Sequence, residues 1–371
     1  MKNYYICNEC GERIPADEVV FMGDIPLCEH CADRLSVRCR CCGRRIWEYE
    51  AVVDGDLCES CFERNYTTCE DCGAIIPYSE ACYTDDDDGE EYPYCDSCIQ
   101  KHNENRVIHD YYYKPSPEFY GVGKLYMGVE LEIDEGGEDE YYAERLLDIA
   151  NDQDVHMYIK HDGSLDNGFE MVTHPMTLEY HKTRMPWEKV LKRAISCGYR
   201  SHQANTCGLH VHVSREALGR SYSEIEEAIG RLVYFYEKFW VEMLRFSRRT
   251  ESQANRWASR YGGVLSTCKE SLDTAKKAGL GRYTAVNLAN YNTVEFRIFR
   301  GTLRLDTLLA TLEFTQYLCK LASETTDDDF HNLTWLDFVK GIDADIYPEL
   351  IDYLKRRRLY VNEPVSETEE I

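Results

Sequence analysis

Three short stretches of the chain alternate an ionisable residue with an apolar one: Gly128-Val129-Glu130-Leu131-Glu132-Ile133, Leu209-His210-Val211-His212-Val213 and Val294-Glu295-Phe296-Arg297-Ile298. A period of two predicts strands, with every ionisable group on one sheet face and the apolar partners beneath. The flanking valines, isoleucines and phenylalanines suit that assignment. Any one of these could be an amphipathic strand with a solvated face. Such faces usually mix Lys, Thr, Ser and Glu, whereas these three offer mainly carboxylate and imidazole, the side chains that bind divalent cations. Elsewhere the apolar spacing turns helical, over residues 140–151, 187–196, 221–246, 305–322 and 347–359. In the third of these, Ile225, Ile229, Leu232, Tyr236, Phe239 and Met243 make one stripe, whose aromatics read as core. Ser223 with Glu226 offers a capping box at its start. Strands and helices in this arrangement predict an α+β domain.

A different pattern fills the first hundred residues. Fourteen of the 18 cysteines lie before residue 99, and twelve of them form six C-x-x-C pairs. Taken in order they give three sets: Cys7, Cys10, Cys28 and Cys31; Cys39, Cys42, Cys58 and Cys61; Cys69, Cys72, Cys95 and Cys98. The intervening lengths are those of four-cysteine structural zinc sites. The sets are repeats about 30 residues long, each opening with a pair followed by Gly (Gly11, Gly43, Gly73) and then Ile14-Pro15, Ile46-Trp47 or Ile76-Pro77. Knuckle, hairpin, knuckle and helical turn resemble a treble-clef or LIM-like finger. Units this small cannot fold on apolar burial alone, so three Zn²⁺ ions are expected to supply folding free energy. A start without a signal-peptide core makes disulfides the weaker reading of the pairs and the cytoplasm the expected location. Cys41 and Cys82 are left over, as free thiols or alternative ligands.

The formal charge of −25 applies to both regions, with 24 Asp and Glu against 9 Lys and Arg in residues 1–105 and 43 against 33 afterwards. Clustered Lys and Arg bind phosphate backbones, so the balance disfavours a nucleic-acid partner despite the finger-like cysteines. A protein or peptide partner is expected instead. No apolar run reaches the roughly 20 residues that span a bilayer. The run Asp85 to Glu91 reads as a solvated loop tip, and Lys355-Arg356-Arg357-Arg358 as the cation-rich end of a helix. The expected organisation is three zinc modules at about 1–35, 36–66 and 67–105, a Pro- and Tyr-containing linker at 106–120, a catalytic domain at 121–360 and an acidic tail at 361–371.

In the large domain five motifs occur in order: Gly128 to Glu132; Asp162-Gly163-Ser164-Leu165 with Glu170; Cys207 to Val213; Arg282-Tyr283-Thr284-Ala285-Val286-Asn287-Leu288; and Thr293 to Thr302. Together, over roughly residues 121–325, they resemble the amidoligases. These are carboxylate–amine ligases with a catalytic domain similar to glutamine synthetase and glutamate–cysteine ligase. The resemblance implies a curved antiparallel sheet whose concave face holds ATP, Mg²⁺ or Mn²⁺, and a carboxylate substrate. Glu130, Glu132, Glu170, His210 and Glu295 would be the metal ligands, and His212 would approach the nucleotide phosphates. Arg297 and Arg300 would neutralise the transferred phosphoryl group, with Asn287 a polar contact. Asp162 would orient or deprotonate the amine, or else simply cap the turn at Gly163. The absence of a Walker loop is no objection, because that family holds its nucleotide on the sheet. The expected function is ATP-dependent amide or isopeptide formation, with the zinc modules recruiting a protein or peptide that carries the carboxylate or amine. The competing readings are an interaction module fused to an inactive ligase fold, and a metallohydrolase using His210 and His212.

Overall fold

The computed structural model describes residues 4–52, 55–85, 91–103, 106–262, 267–278 and 281–360. Most of the acidic run before Glu91 and the whole acidic tail lie outside these residues. The chain divides into two compact units, residues 1–105 with 112–114, and residues 106–111 with 115–371. Among the described residues no helix is long and apolar enough to cross a membrane.

The first unit repeats one small plan three times. A hairpin carries the first cysteine pair between its strands: Tyr4–Ile6 with Arg13–Pro15, Ser36–Arg38 with Arg45–Trp47, and Tyr66–Thr68 with Ile75–Pro77. A second hairpin then leads into a short helix, Glu29–Leu35, Glu59–Asn65 or Asp96–Asn103, which bears the second pair at its start. Gly11, Gly43 and Gly73 all have positive φ, between 68° and 74°. That conformation returns each glycine N–H to the carbonyl of the first cysteine at 2.8–2.9 Å, a turn that a Cβ would strain. Each module buries only a handful of apolar side chains, such as Ile14, Met22 and Leu27 in the first. Cys82 is buried in the core of the third module, and Cys41 is exposed.

The second unit is α+β. Its sheet has seven strands, β1 (Ile108–His109), β2 (Met127–Ile133), β3 (Met157–Lys160), β4 (Phe169–Thr173), β5 (Leu209–Ser214), β6 (Val286–Asn287) and β7 (Thr293–Phe296), in the spatial order β1-β3-β4-β2-β5-β7-β6. Every pairing is antiparallel except β1 with β3. Directly opposed residues share a face, so the registers sort the side chains into two sets. Val129, Leu131, Met157, Ile159, Phe169, Met171, Leu209, Val211, Val213, Val294 and Phe296 form the apolar set, each at most 1% exposed. They join one core with the helices behind the sheet. These include α1 (Glu140–Ala150), α2 (Trp187–Ser196), α3 (Tyr222–Lys238), α4 (Cys268–Lys277), α5 (Leu305–Glu324) and α6 (Pro348–Arg356). Tyr236 of α3 stacks on Phe296 of β7 with ring centroids 5.8 Å apart.

Two local expectations are corrected. The single helix expected over 221–246 is two, because Phe239 leaves helical geometry at φ −105°, ψ 35° and the chain resumes as Trp240–Ser247. No proline or glycine marks the break. Phe239 instead packs against Phe235 at 4.9 Å and Trp335 at 5.6 Å, a tertiary pull that local spacing does not encode. The cap also sits two residues earlier, at Ser221, whose hydroxyl accepts the Glu224 N–H while Glu224 accepts the Arg220 N–H. Ser221-x-x-Glu224 and Ser223-x-x-Glu226 are equivalent in sequence, and the extended backbone at Ser221 selects the first. Ser223 is left to bond Glu227.

Candidate active site

The ionisable set occupies the face opposite the core. Glu132 opposes Glu170 across β2 and β4, Glu170 opposes Lys160 across β4 and β3, and Glu130 opposes His210 across β2 and β5. His212 opposes Glu295 and Glu295 opposes Asn287, carrying the row across β7 to β6. The three alternating stretches are therefore neighbours, as a single site requires.

The side chains converge. His210 Nδ1 lies 3.2 Å from Glu130 Oε2 and 3.9 Å from Glu295 Oε1, and its Nε2 lies 3.6 Å from Glu132 Oε1. His212 Nε2 is 3.1 Å from Glu130 Oε1 and 4.0 Å from Glu295 Oε1. Two sets, Glu130 with His212 and Glu295, and Glu130 with Glu170 and His210, present donor atoms within 4.8 Å of one another. His212 thus sits inside the carboxylate cluster and is as well placed to hold a cation as His210. Glu295 is fixed from several sides: Arg297 donates to Oε1 at 2.5 Å, while Asn287 and Asn290 donate to Oε2 at 2.7 and 3.1 Å. The Asn287 amide oxygen accepts the Ala289 N–H, so this side chain holds a carboxylate rather than facing outward. Arg297 follows the end of β7, its N–H still bonded to the Ala285 carbonyl, and its guanidinium lies over the Tyr283 ring at 5.9 Å.

Burial makes this charge costly. Glu132, Glu170, His210 and Glu295 are each at most 4% exposed. Burial, reinforced by the Glu130 charge, drives the Glu170 carboxyl well above the usual carboxylate range, with Lys160 pulling it back. Burial raises Glu132 as well. It would raise Glu130, but the His212 and His210 imidazoles outweigh it and hold that carboxyl well below its ordinary value. His212 is raised in turn, the Glu130 charge overcoming desolvation. Carboxylates packed this closely need more positive charge than two imidazoles provide. Arg297 Nε is also buried without a hydrogen bond. A divalent cation fits the donor set and the charge deficit.

Asp162 lies in the turn after β3, where its carboxylate accepts the Ser164 N–H at 2.7 Å. Its charge raises both Glu132 and Glu170, which places it near the cluster while it also caps the turn. Arg300 donates from Nη2 to Asn205 Oδ1 at 2.7 Å. Two site residues escaped the sequence reading. Lys160, 7% exposed, pairs with Glu170 at 3.0 Å, and the alternation Met157-Tyr158-Ile159-Lys160 was the available signal. Arg249 packs beside Gly208, where an added Cβ would meet its Nη2 at 3.3 Å and His210 Nε2 at 2.6 Å. No pattern around Arg248-Arg249 announces it.

The cysteine sets also converge. In each, all four sulfurs lie within 4.8 Å of one another, the middle pairs separated by 3.8, 3.9 and 3.7 Å. The backbone N–H groups of Cys10 and Cys28 hold the Cys7 thiol down to about 6 against burial, and that of Cys58 does the same for Cys39. The last cysteine of each set is instead raised, by burial and its neighbouring thiols, and four sulfurs to a set with no other ligand type fit structural zinc.

A family model described as "Putative amidoligase enzyme" matches residues 126–319, the stretch from β2 into α5. No curated protein matches the chain.

Proposed function

The chain belongs to the amidoligase family, and from that premise we propose that it is an ATP-dependent carboxylate–amine ligase. The observation that carries the proposal is the convergence of Glu130, Glu132, Glu170, His210, His212 and Glu295 on one sheet face with Arg297 at its edge. Hydroxide is a poor leaving group from a carboxylate, so amide formation needs activation. A carboxylate oxygen attacks the γ-phosphorus of ATP, breaking its bond to the bridging oxygen and releasing ADP. An amine then attacks the acyl carbon, inorganic phosphate leaves with the bonding pair, and the amine proton passes to a base.

Glu130, Glu295 and the two histidines, with Glu132 and Glu170 alongside, would hold Mg²⁺ or Mn²⁺, whose charge would offset that of the phosphates. Arg297, partly buried and kept cationic by Glu295 and its neighbours despite desolvation, is the group to stabilise the moving phosphoryl charge. Asn287 and Asn290 hold Glu295 in place. Asp162, whose charge acts on Glu132 and Glu170, is the carboxylate suited to orient the amine and take its proton. The zinc modules are assigned recruitment of a protein or peptide substrate.

The test is to incubate the purified protein with ATP, Mg²⁺ or Mn²⁺ and pooled amino acids and peptides, and to follow ADP, phosphate and product mass. The proposal expects matched ADP and phosphate with a product lighter by water than its reactants, abolished in Glu295→Ala. AMP with pyrophosphate would contradict the acyl phosphate route. Nucleotide-independent hydrolysis would favour the metallohydrolase, and no turnover that differs from Glu295→Ala would favour an inactive fold.

A further inference from the structure

For a chain of charge −25, one stretch of the second unit carries an unexpected sign. Arg248 donates to the carbonyls of Arg300 and Gly301 at 2.8 and 2.9 Å, and Arg249 to those of Ile298 and Phe299 at 2.9 and 3.3 Å. Arg357 donates twice to the Arg245 carbonyl, and Arg300 to the Asn205 amide oxygen. These partners fix the guanidinium groups without cancelling their charge. Among the described residues, Arg304 and Arg356 are the members of this group that share a carboxylate, that of Asp306. At the border Glu135 is engaged by Arg200 at 2.9 Å.

The groups follow one another along the chain: Arg248 and Arg249 grip the backbone of residues 298–301, Arg304 comes just after it, and Arg356 meets Arg304 at Asp306. Burial lowers the His202 imidazole and the charges of Arg248, Arg300 and Arg304 lower it further. Arg249 is brought down to about 10 by burial, with Arg297, Arg300 and Arg248 adding to the effect against the opposing charge of Glu132. The tract therefore begins at the wall of the candidate active site, beside Gly208 and Glu132, and runs outward through Arg300 and Arg248. It reaches Arg304 and Arg356, which are 64% and 41% exposed.

We propose that this arginine tract is a docking groove for a carboxylate-rich polypeptide segment, one carboxylate of which is delivered to the sheet face as the group to be ligated. The delivery step rests on the ligase reading given above, whereas docking does not. Guanidinium groups held in place by backbone carbonyls are preorganised, so little side-chain entropy is lost when a carboxylate arrives. A polypeptide is favoured over nucleic acid because the rest of the molecule is acidic and would repel a long polyanion, whereas a short acidic segment needs only the tract itself.

The experiment measures fluorescence anisotropy of a labelled oligoglutamate peptide titrated with the full-length, zinc-loaded protein at low and high salt, with no nucleotide. Binding that weakens with salt is expected. R304Q/R356Q should weaken it by about tenfold, by removing cations and leaving Asp306 unpaired, whereas D306N should tighten it. A merely structural role would move both variants the same way. Zinc content and unfolding midpoints identify any variant that has lost its fold. No peptide binding at low salt, weakening by D306N, or displacement of the peptide by a single-stranded oligonucleotide that binds more tightly would each overturn the proposal. If the peptide docks as described but ATP turnover is absent, the ligase reading fails and the groove stands.

Discussion

Glu295 is the residue on which most of the site's geometry turns. Three donors hold it, Arg297, Asn287 and Asn290, and it faces both histidines. Glu295→Gln keeps the shape but removes the charge and turns one accepting oxygen into an NH2 that faces a donor, so it should bind divalent cation poorly and lose about 1–3 kcal/mol of stability. Lys160 predicts the opposite balance. It is the cation closest to Glu170, and Lys160→Met would leave a buried carboxylate without its partner. Breaking a buried pair this way costs about 3–5 kcal/mol, which urea unfolding would register, and added Mn²⁺ should restore part of the loss. A variant as stable as the parent without metal would contradict this account of Glu170. Lys160 was legible in principle, one strand over in the same alternation. Arg249 was not, because its place beside Gly208 comes from a turn after a helix rather than from any periodic pattern.

The elements show where sequence patterning stops. Period-two alternation located β2, β5 and β7, since each has one face against the core and one against charge, and a slip of one residue would bury the carboxylates among Val129, Leu131 and Val211. It missed the two-residue strands β1 and β6, which are too short to show a period, and it ran α3 through Phe239, where packing rather than local sequence turns the chain. His181 gives a test at this scale. It lies in the helix Leu178–Thr183, with Nε2 3.0 Å from the Met127 carbonyl on β2 and Nδ1 accepting the Trp187 indole N–H at 3.3 Å. That geometry suits the neutral ring, since a proton on Nδ1 would face another N–H. Burial lowers the pKa from 6.5 to about 4, so as pH falls below 6.5 the unfolded chain takes up this proton first. The group's contribution is complete above 6.5 and is lost on acidification toward about 4, at up to about 1.4 kcal/mol per pH unit. His181→Gln should have a flatter stability profile over that interval. An unchanged slope in chemical unfolding monitored by tryptophan fluorescence would show that His181 is not the group responsible.

At the scale of the whole molecule, two units rest on different physics. The second has a core of dozens of buried apolar side chains, whereas each zinc module buries a handful. Chelation should therefore unfold residues of the first unit while the sheet of the second keeps its circular dichroism and its thermal transition. Elemental analysis of the intact chain should give three zinc ions, one for each cysteine set. Fewer would mean that a set is incomplete. The modules were the most legible part of the sequence because cysteine spacing states the ligand set outright. The site on the second unit needed adjacency between strands far apart in the chain, which spacing cannot supply and the registers of β2, β4, β5 and β7 do. If this face holds a divalent cation and, with it, a nucleotide, electron paramagnetic resonance of Mn²⁺ added to the zinc-loaded protein, with and without ATP, will show both without any knowledge of the substrate. The expected result is a bound Mn²⁺ spectrum that changes when ATP is added and is lost in Glu130→Gln/Glu295→Gln. Free Mn²⁺ in the parent protein, or binding that survives both substitutions, would contradict it.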